Sequence, residues 1–175
     1  MLYALIVACE VGFWVFLGAA LVSRYVLRWK KVGTVLLFCV PLADLVLFSA
    51  STVDLVRGAT PTAGHGLAAI YLGVSIAFGE QLVRWADGRF AHRFDGQPLT
   101  RPPKAGRAHA ARERRQWLRH LLAWTIGSAL IFLDVALVGD WHAAQPLVQL
   151  VGAWGVILVI DLLWSFSYTL FPRKS

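Results

Sequence analysis

The sequence predicts an all-α, polytopic membrane bundle of five transmembrane helices. Of the 175 residues, 58% are hydrophobic and 15% are charged, unlike an average soluble domain. A membrane span needs about 20 apolar residues, and the chain contains five stretches of that kind. We predict spans at residues 2–22, 33–55, 66–85, 117–138 and 147–170, with a basic cytoplasmic loop at residues 86–116. The whole chain, 1–175, is predicted to be one membrane domain.

Basic residues predict the orientation of the bundle. Sixteen of the 17 Lys and Arg residues lie in or beside the first and third connections and in the tail, and only Arg57 lies in the second or fourth. Because cytoplasmic loops carry the excess of Lys and Arg, we expect the N-terminus outside and the C-terminus in the cytoplasm. The net charge of +7 then reflects topology and contact with anionic lipid, and we predict no nucleic-acid partner.

The second and third spans carry irregular features. Pro41 lies three residues before Asp44. A proline removes a helical hydrogen bond and tends to bend the helix, which could open a hydrated spot beside Asp44. The alternative is a bent, packed helix that binds nothing. The third span is the weakest of the five, because Glu80 and Arg84 crowd its end.

The predicted loop of residues 86–116 is rich in Gly and Pro, which is typical of a connection without regular structure. Its last part, from Ala108, has the pattern of a basic surface helix leading into the fourth span. We predict that Arg112, Arg114 and Arg115 contact lipid headgroups. A helix end that is merely solvated is the alternative.

Each span contains one carboxylate well inside it, and a charge at mid-membrane costs at least about 2.5–3.5 kcal/mol. The five residues are Glu10, Asp44, Glu80, Asp134 and Asp161. Residues seven apart share a helix face, and small or hydrogen-bonding residues share the face of each acid. We therefore expect the acids to face the bundle interior. Counted at 1.5 Å per residue, they lie at depths from about 6 to 22 Å below the outer surface.

Such a series of ionisable groups could carry protons or bind a cation, with Asp44 as the central site. This favours a small proton- or cation-linked transporter or a channel-like component. The alternative is a structural or assembly subunit, in which the acids hydrogen-bond between helices, or in which Glu80 simply pairs with Arg84 four residues later. Dimerisation or a membrane-complex partner is compatible with both hypotheses.

Motifs for catalysis and metal binding are weak. His65, His142, Asp54 and Asp140 are all predicted near the outer surface, but no two of them have a short helical ligand spacing, so we predict no metal and no cofactor. A lipid-modifying enzyme would need convergent headgroup-level residues, for which the candidates are Asp87, His92 and Asp95. We predict no catalytic residues and a protein that is not an enzyme.

Several segments resemble the YmcC-like group of small bacterial integral membrane proteins. They are residues 65–79, 84–87, 89–90, 9–14 and 165–172. The resemblance covers nearly the whole chain, and the motif in the third span is its most specific part. It implies a location in the bacterial inner membrane, and it carries over neither an activity nor catalytic residues.

Overall fold

The structure, a computed structural model, describes residues 2–99 and 105–170, apart from the side chains of residues 2, 3, 5, 6, 9, 10, 13, 30, 38, 169 and 170. Five helices form in this part of the chain, and no strand does. They are α1 (Leu2–Tyr25), α2 (Lys30–Val56), α3 (Ala63–Asp95), α4 (Gly106–Val138) and α5 (Gln145–Leu170). The predicted all-α architecture is confirmed. Helix α3 is central, because it contacts each of the other four helices.

Four of these helices are long and apolar enough to cross a membrane: α2, α3, α4 and α5. Helix α1 contains a shorter apolar stretch, Trp14–Tyr25. Pro41 lies inside α2, yet the helix continues through it.

We call the end of the bundle that contains the connections 26–29 and 96–105 the basic end. The end with the connections 57–62 and 139–144 is the opposite end.

The predicted loop at residues 86–116 is wrong in its extent. Helix α3 runs to Asp95 and α4 begins at Gly106, so only residues 96–105 separate them. Residues 86–95 stay helical because they pack against α1, where Ala86 is buried and Arg24 pairs with Asp87 at 2.9 Å. At 33 residues each, the two helices are about 50 Å long, against about 30 Å of hydrocarbon.

The three arginines predicted to touch lipid lie on the first half of α4, which agrees with the surface helix predicted from Ala108. Arg112 and Arg115 face away from the bundle, whereas Arg114 is half-buried and has an interaction partner. Their contact with lipid headgroups stays a prediction.

Close packing of α3, α4 and α5 is centred on two glycines. A Cβ atom built on Gly73 would lie 2.7 Å from the carbonyl oxygen of Ala123 and 2.9 Å from the backbone nitrogen of Gly127. A Cβ atom on Gly127 would lie 2.6 Å from the ring of Trp154. Small residues allow such close approach in lipid. The apolar core, which includes Ala69, Leu72 and Ile131, lies against this contact.

Candidate functional site

The predicted acidic series divides into two groups. Asp44 and Asp134 are buried and Asp161 is half-buried. Glu80 faces away from the bundle, and the side chain of Glu10 lies outside the described residues. The acids therefore do not all line one interior path.

The prediction that Glu80 faces protein is wrong. Its side chain is 70% exposed and pairs with Arg84 on the same helix. In this turn of α3 the side chain that reaches α4 is that of Gln81, the next residue. The Gln81 amide donates to the Oε1 atom of Gln116 at 3.1 Å. Glu80 thus has the helical ion pair that the alternative interpretation described.

The register of α4 against α5 is held by two tryptophans. The indole N–H of Trp117 donates to the carbonyl oxygen of Leu158 at 3.2 Å, and that of Trp124 donates to the carbonyl oxygen of Val151 at 3.3 Å. A buried indole N–H needs an acceptor, so these bonds fix how far one helix lies along the other. His120, between the two tryptophans on α4, is thereby placed against α5.

His120 joins a hydrogen-bonded chain of three side chains. Its Nδ1 atom is 2.9 Å from Oδ2 of Asp161, and its Nε2 atom accepts from the indole N–H of Trp154 at 3.0 Å. An indole nitrogen only donates, so Nε2 of His120 carries no proton in this arrangement. The proton is on Nδ1 and is donated to the carboxylate. His120 is therefore a neutral imidazole with a fixed tautomer.

This histidine–carboxylate pair lines a cavity of about 410 Å³ in the half of the bundle nearer the basic end. The polar part of the lining is Gln116, His120 and Asp161, and the apolar part is Phe78, Ile157, Ile160 and Trp164. Such a combination of apolar walls with a few converging polar groups is typical of a small-molecule site. We call this cavity the Asp161 cavity.

A second polar cluster lies at the opposite end. Asp134 is 0% exposed, and its Oδ1 atom accepts from the hydroxyl of Thr52 at 2.8 Å. Nearby, Nε2 of His65 is 3.4 Å from Oδ2 of Asp54, whose side chain is 52% exposed. This second histidine–carboxylate pair therefore connects the exterior with the buried start of α3.

His65 also closes the N-terminus of α3. The backbone N–H of Thr62 donates to the Nδ1 atom of His65 at 3.2 Å, and the backbone N–H of His65 donates to the carbonyl oxygen of Thr62 at 3.1 Å. Because Nδ1 accepts, Nε2 carries the proton and donates to Asp54. The two ring nitrogens of His65 therefore have different roles: Nδ1 caps the start of α3, and Nε2 links α3 to Asp54 of α2.

Replacing His65 by alanine should lower the free energy of unfolding by about 1 kcal/mol or more, since a cap alone contributes that much and the bond to Asp54 is also lost. Thermal unfolding of the purified protein measures this loss. His142→Ala is the matched control, because the His142 side chain is exposed. Equal unfolding temperatures for the two variants would contradict the capping role.

Apolar residues separate the two polar clusters. Ile131 is fully buried on α4 between His120 and Asp134, and it belongs to a core with Leu72 of α3 and Val151 of α5. A hydrated ion path would need polar groups across this layer. On α4 the buried Ser128 also lies between His120 and Asp134, so the layer that separates the two polar clusters is mostly and not wholly apolar.

Asp44 lies in the interior of the bundle, where its carboxylate hydrogen-bonds the hydroxyl of Ser75 on α3. Ser75 and Pro41 line a second cavity of about 480 Å³ between α1, α2 and α3. Asp44 is not among the lining residues of this cavity, whose walls are mostly apolar, so the hydrated spot beside Asp44 stays a prediction.

The structure does not bring together the three residues considered for lipid chemistry. Asp87 pairs with Arg24, whereas Nδ1 of His92 is 2.8 Å from the carbonyl oxygen of Gln97. Burial, and after it the neighbouring carboxylate of Asp87, raise the pKa of the Tyr25 phenol. Asp95 lines a cavity with Arg24 and Tyr25, the same two residues that neighbour Asp87, and His92 is not among the residues of that cavity. Within the described residues, no cluster of three His, Cys, Asp or Glu side chains has the geometry for a metal ion.

Comparison with known proteins identifies a relative. A protein of Bacillus subtilis (strain 168), called "Uncharacterized membrane protein YmcC", is 40% identical to this chain over 171 residues. The match covers 97% of this chain and 92% of the relative. No family model matches the chain, and no solved structure matches it.

Identity at this level over almost the full length of both proteins, together with the apolar helices, makes the chain a multi-pass protein of a lipid bilayer. The resemblance seen in its sequence motifs is confirmed. The chain belongs to the YmcC-like family of membrane proteins.

Proposed function

We propose that this protein is a proton-linked carrier of the bacterial cytoplasmic membrane. In this proposal all five helices span the bilayer, the N-terminus is outside, and the basic end faces the cytoplasm, as the distribution of Lys and Arg favours. The observation that carries the proposal is the His120–Asp161 pair, which lines an open cavity near the basic end. A histidine paired with a carboxylate at membrane depth is the usual device for moving protons.

The separation of the two polar clusters favours a carrier over an open channel. Asp54 and His65 would exchange protons with the outside, and Asp161 and His120 with the cytoplasm. Between them lies the mostly apolar layer around Ile131. Passage therefore requires a change of helix packing, which is the general behaviour of carriers.

The test is proton movement in liposomes that contain the purified protein and a trapped pH indicator. The external pH is changed suddenly, and potassium or sodium is present on the other side of the liposome membrane. Wild type should then show a change of internal pH whose rate saturates. Asp161→Asn should lose it, because an amide cannot take up the proton, although its oxygen still accepts from His120.

The matched control for Asp161→Asn is Glu80→Gln, which removes the same charge from a side chain that is 70% exposed and does not line the Asp161 cavity. It should keep the wild-type rate. Asp44→Asn tests the predicted central site: loss of proton movement in the folded variant would add Asp44 to the path, although it belongs to neither histidine–carboxylate pair. Equal rates in the Asp161→Asn and Glu80→Gln proteins would refute the carrier.

A structural or assembly subunit is the second candidate function. It is favoured by two bonds that join helices, Asp134 to Thr52 and Asp44 to Ser75, since neither carboxylate lines the cavities described above. In that case Asp44→Asn and Asp134→Asn would lower the unfolding temperature. Neither the wild type nor any of these variants would move protons.

A further inference from the structure

We infer that the Asp161 cavity binds a small amphipathic organic cation: an amine or quaternary ammonium, or a similar onium ion, with an apolar or aromatic body. The inference specifies the solute of the carrier proposed above and rests on that function for its biological meaning. Binding itself can be measured without transport.

The charge of Asp161 is not neutralised by the protein. Its carboxylate pairs with His120 and with no Lys or Arg in the described part of the chain. His120 is uncharged, because its Nε2 atom accepts the indole N–H of Trp154. Arg119, one residue earlier on α4, directs its guanidinium to the Oε1 atom of Gln81 instead. A carboxylate that faces a cavity at this depth therefore lacks a cation, and a positively charged ligand supplies one.

The walls of the cavity fit an apolar body attached to that cation. Phe78, Ile157 and Ile160 are aliphatic or aromatic, and Trp164 presents the ring type that attracts cations most strongly. The indole N–H of Trp164 donates to the hydroxyl of Tyr168 at 3.0 Å, which restrains the orientation of the ring. The volume of about 410 Å³ is in the range of small-molecule sites.

Other ligand classes fit this cavity less well. An organic anion would meet the uncompensated carboxylate of Asp161. A bare metal ion would lack a third protein ligand, since the described residues offer no such group there. A lipid acyl chain would leave the carboxylate facing hydrocarbon, which costs about 2.5–3.5 kcal/mol or more.

The experiment uses two ions of nearly the same shape and opposite charge, tetraphenylphosphonium and tetraphenylborate. Isothermal titration of the purified full chain in detergent, with each ion, reports binding directly. We expect saturable binding of the phosphonium to wild type and at least tenfold weaker binding of the borate. Asp161→Asn should weaken phosphonium binding at least tenfold, and Glu80→Gln should leave it unchanged.

Trp164→Leu provides a second variant, because this side chain is 65% exposed and lies outside the packed core. It should fold like wild type and bind the phosphonium several-fold more weakly. Borate binding as tight as phosphonium binding, or undiminished phosphonium affinity in folded Asp161→Asn or Trp164→Leu protein, would overturn the inference.

The liposome experiment separates this inference from the proposed function. Phosphonium binding that depends on Asp161, without proton movement in liposomes, would keep the cation site and reject the proton-linked carrier. Proton movement that depends on Asp161, without phosphonium binding, would keep the carrier and reject the cation site.

Discussion

Replacing Gly73 by alanine is expected to destabilise the bundle more than any other single methyl group added to α3. The new Cβ atom would lie 2.7 and 2.9 Å from backbone atoms of Ala123 and Gly127. Backbone atoms cannot rotate away as a side chain can, so α3 and α4 must separate. That separation also disturbs the contact of Gly127 with Trp154, the residue that donates to His120.

Overpacking of this kind costs typically about 1–3 kcal/mol and occasionally more. Since backbone lies on both sides of the new atom, we expect a loss of about 3 kcal/mol, which corresponds to roughly 6–12 °C in unfolding temperature. Thermal unfolding in detergent measures it. Gly79→Ala is the control on the same helix, because no atom lies within 4 Å of its added Cβ. Similar unfolding temperatures for both variants would show that α3 and α4 are not in close contact at Gly73.

Replacing Thr52 by valine is expected to have the second largest effect. Valine keeps the shape of threonine and removes the hydroxyl that donates to Asp134. The other oxygen of that carboxylate, Oδ2, has no hydrogen-bond partner in the described part of the chain. A buried polar group left without a partner costs about 1–3 kcal/mol, and a charged group costs more.

The same reasoning predicts a rescue, because removing both partners of a buried bond is nearly neutral. The double variant Thr52→Val with Asp134→Val should therefore unfold at a higher temperature than Thr52→Val alone. Thr125→Val is the control, since the hydroxyl of Thr125 bonds the Leu121 carbonyl of its own helix and is exposed. A double variant no more stable than Thr52→Val would show that Asp134 has another role than this bond.

The helices were predictable because apolar length and heptad faces are local properties of a sequence. The face of Asp44, Phe48, Ser51 and Leu55 in α2 is buried, as its pattern indicates. The helix ends near the basic end were not predictable in this way. Residues before position 96 and after position 105 stay helical through contacts with residues distant in sequence. One example is the edge-on contact between the rings of His109 and Tyr168, whose centroids are 4.8 Å apart.

Of the candidate site, the sequence predicts Asp161 as an inward-facing acid, and it predicts neither His120 nor Trp154 as its partners. Their meeting depends on the register between the helices, which Trp117 and Trp124 set through backbone carbonyls of α5. The pattern within a single helix contains no information about this register. The same holds for Glu80, because the contact that turns Gln81 toward α4 is made with Gln116 on a different helix.

The length of α3 and α4 gives the bundle a mechanical property. Neither helix contains a proline, so each continues without a proline kink past the cavity toward the basic end. Phe78 on α3 and His120 on α4 line the Asp161 cavity, and Gly73 and Gly127 form a close contact between the same two helices. The crossing angle of α3 and α4 at that glycine contact therefore sets the width of the cavity.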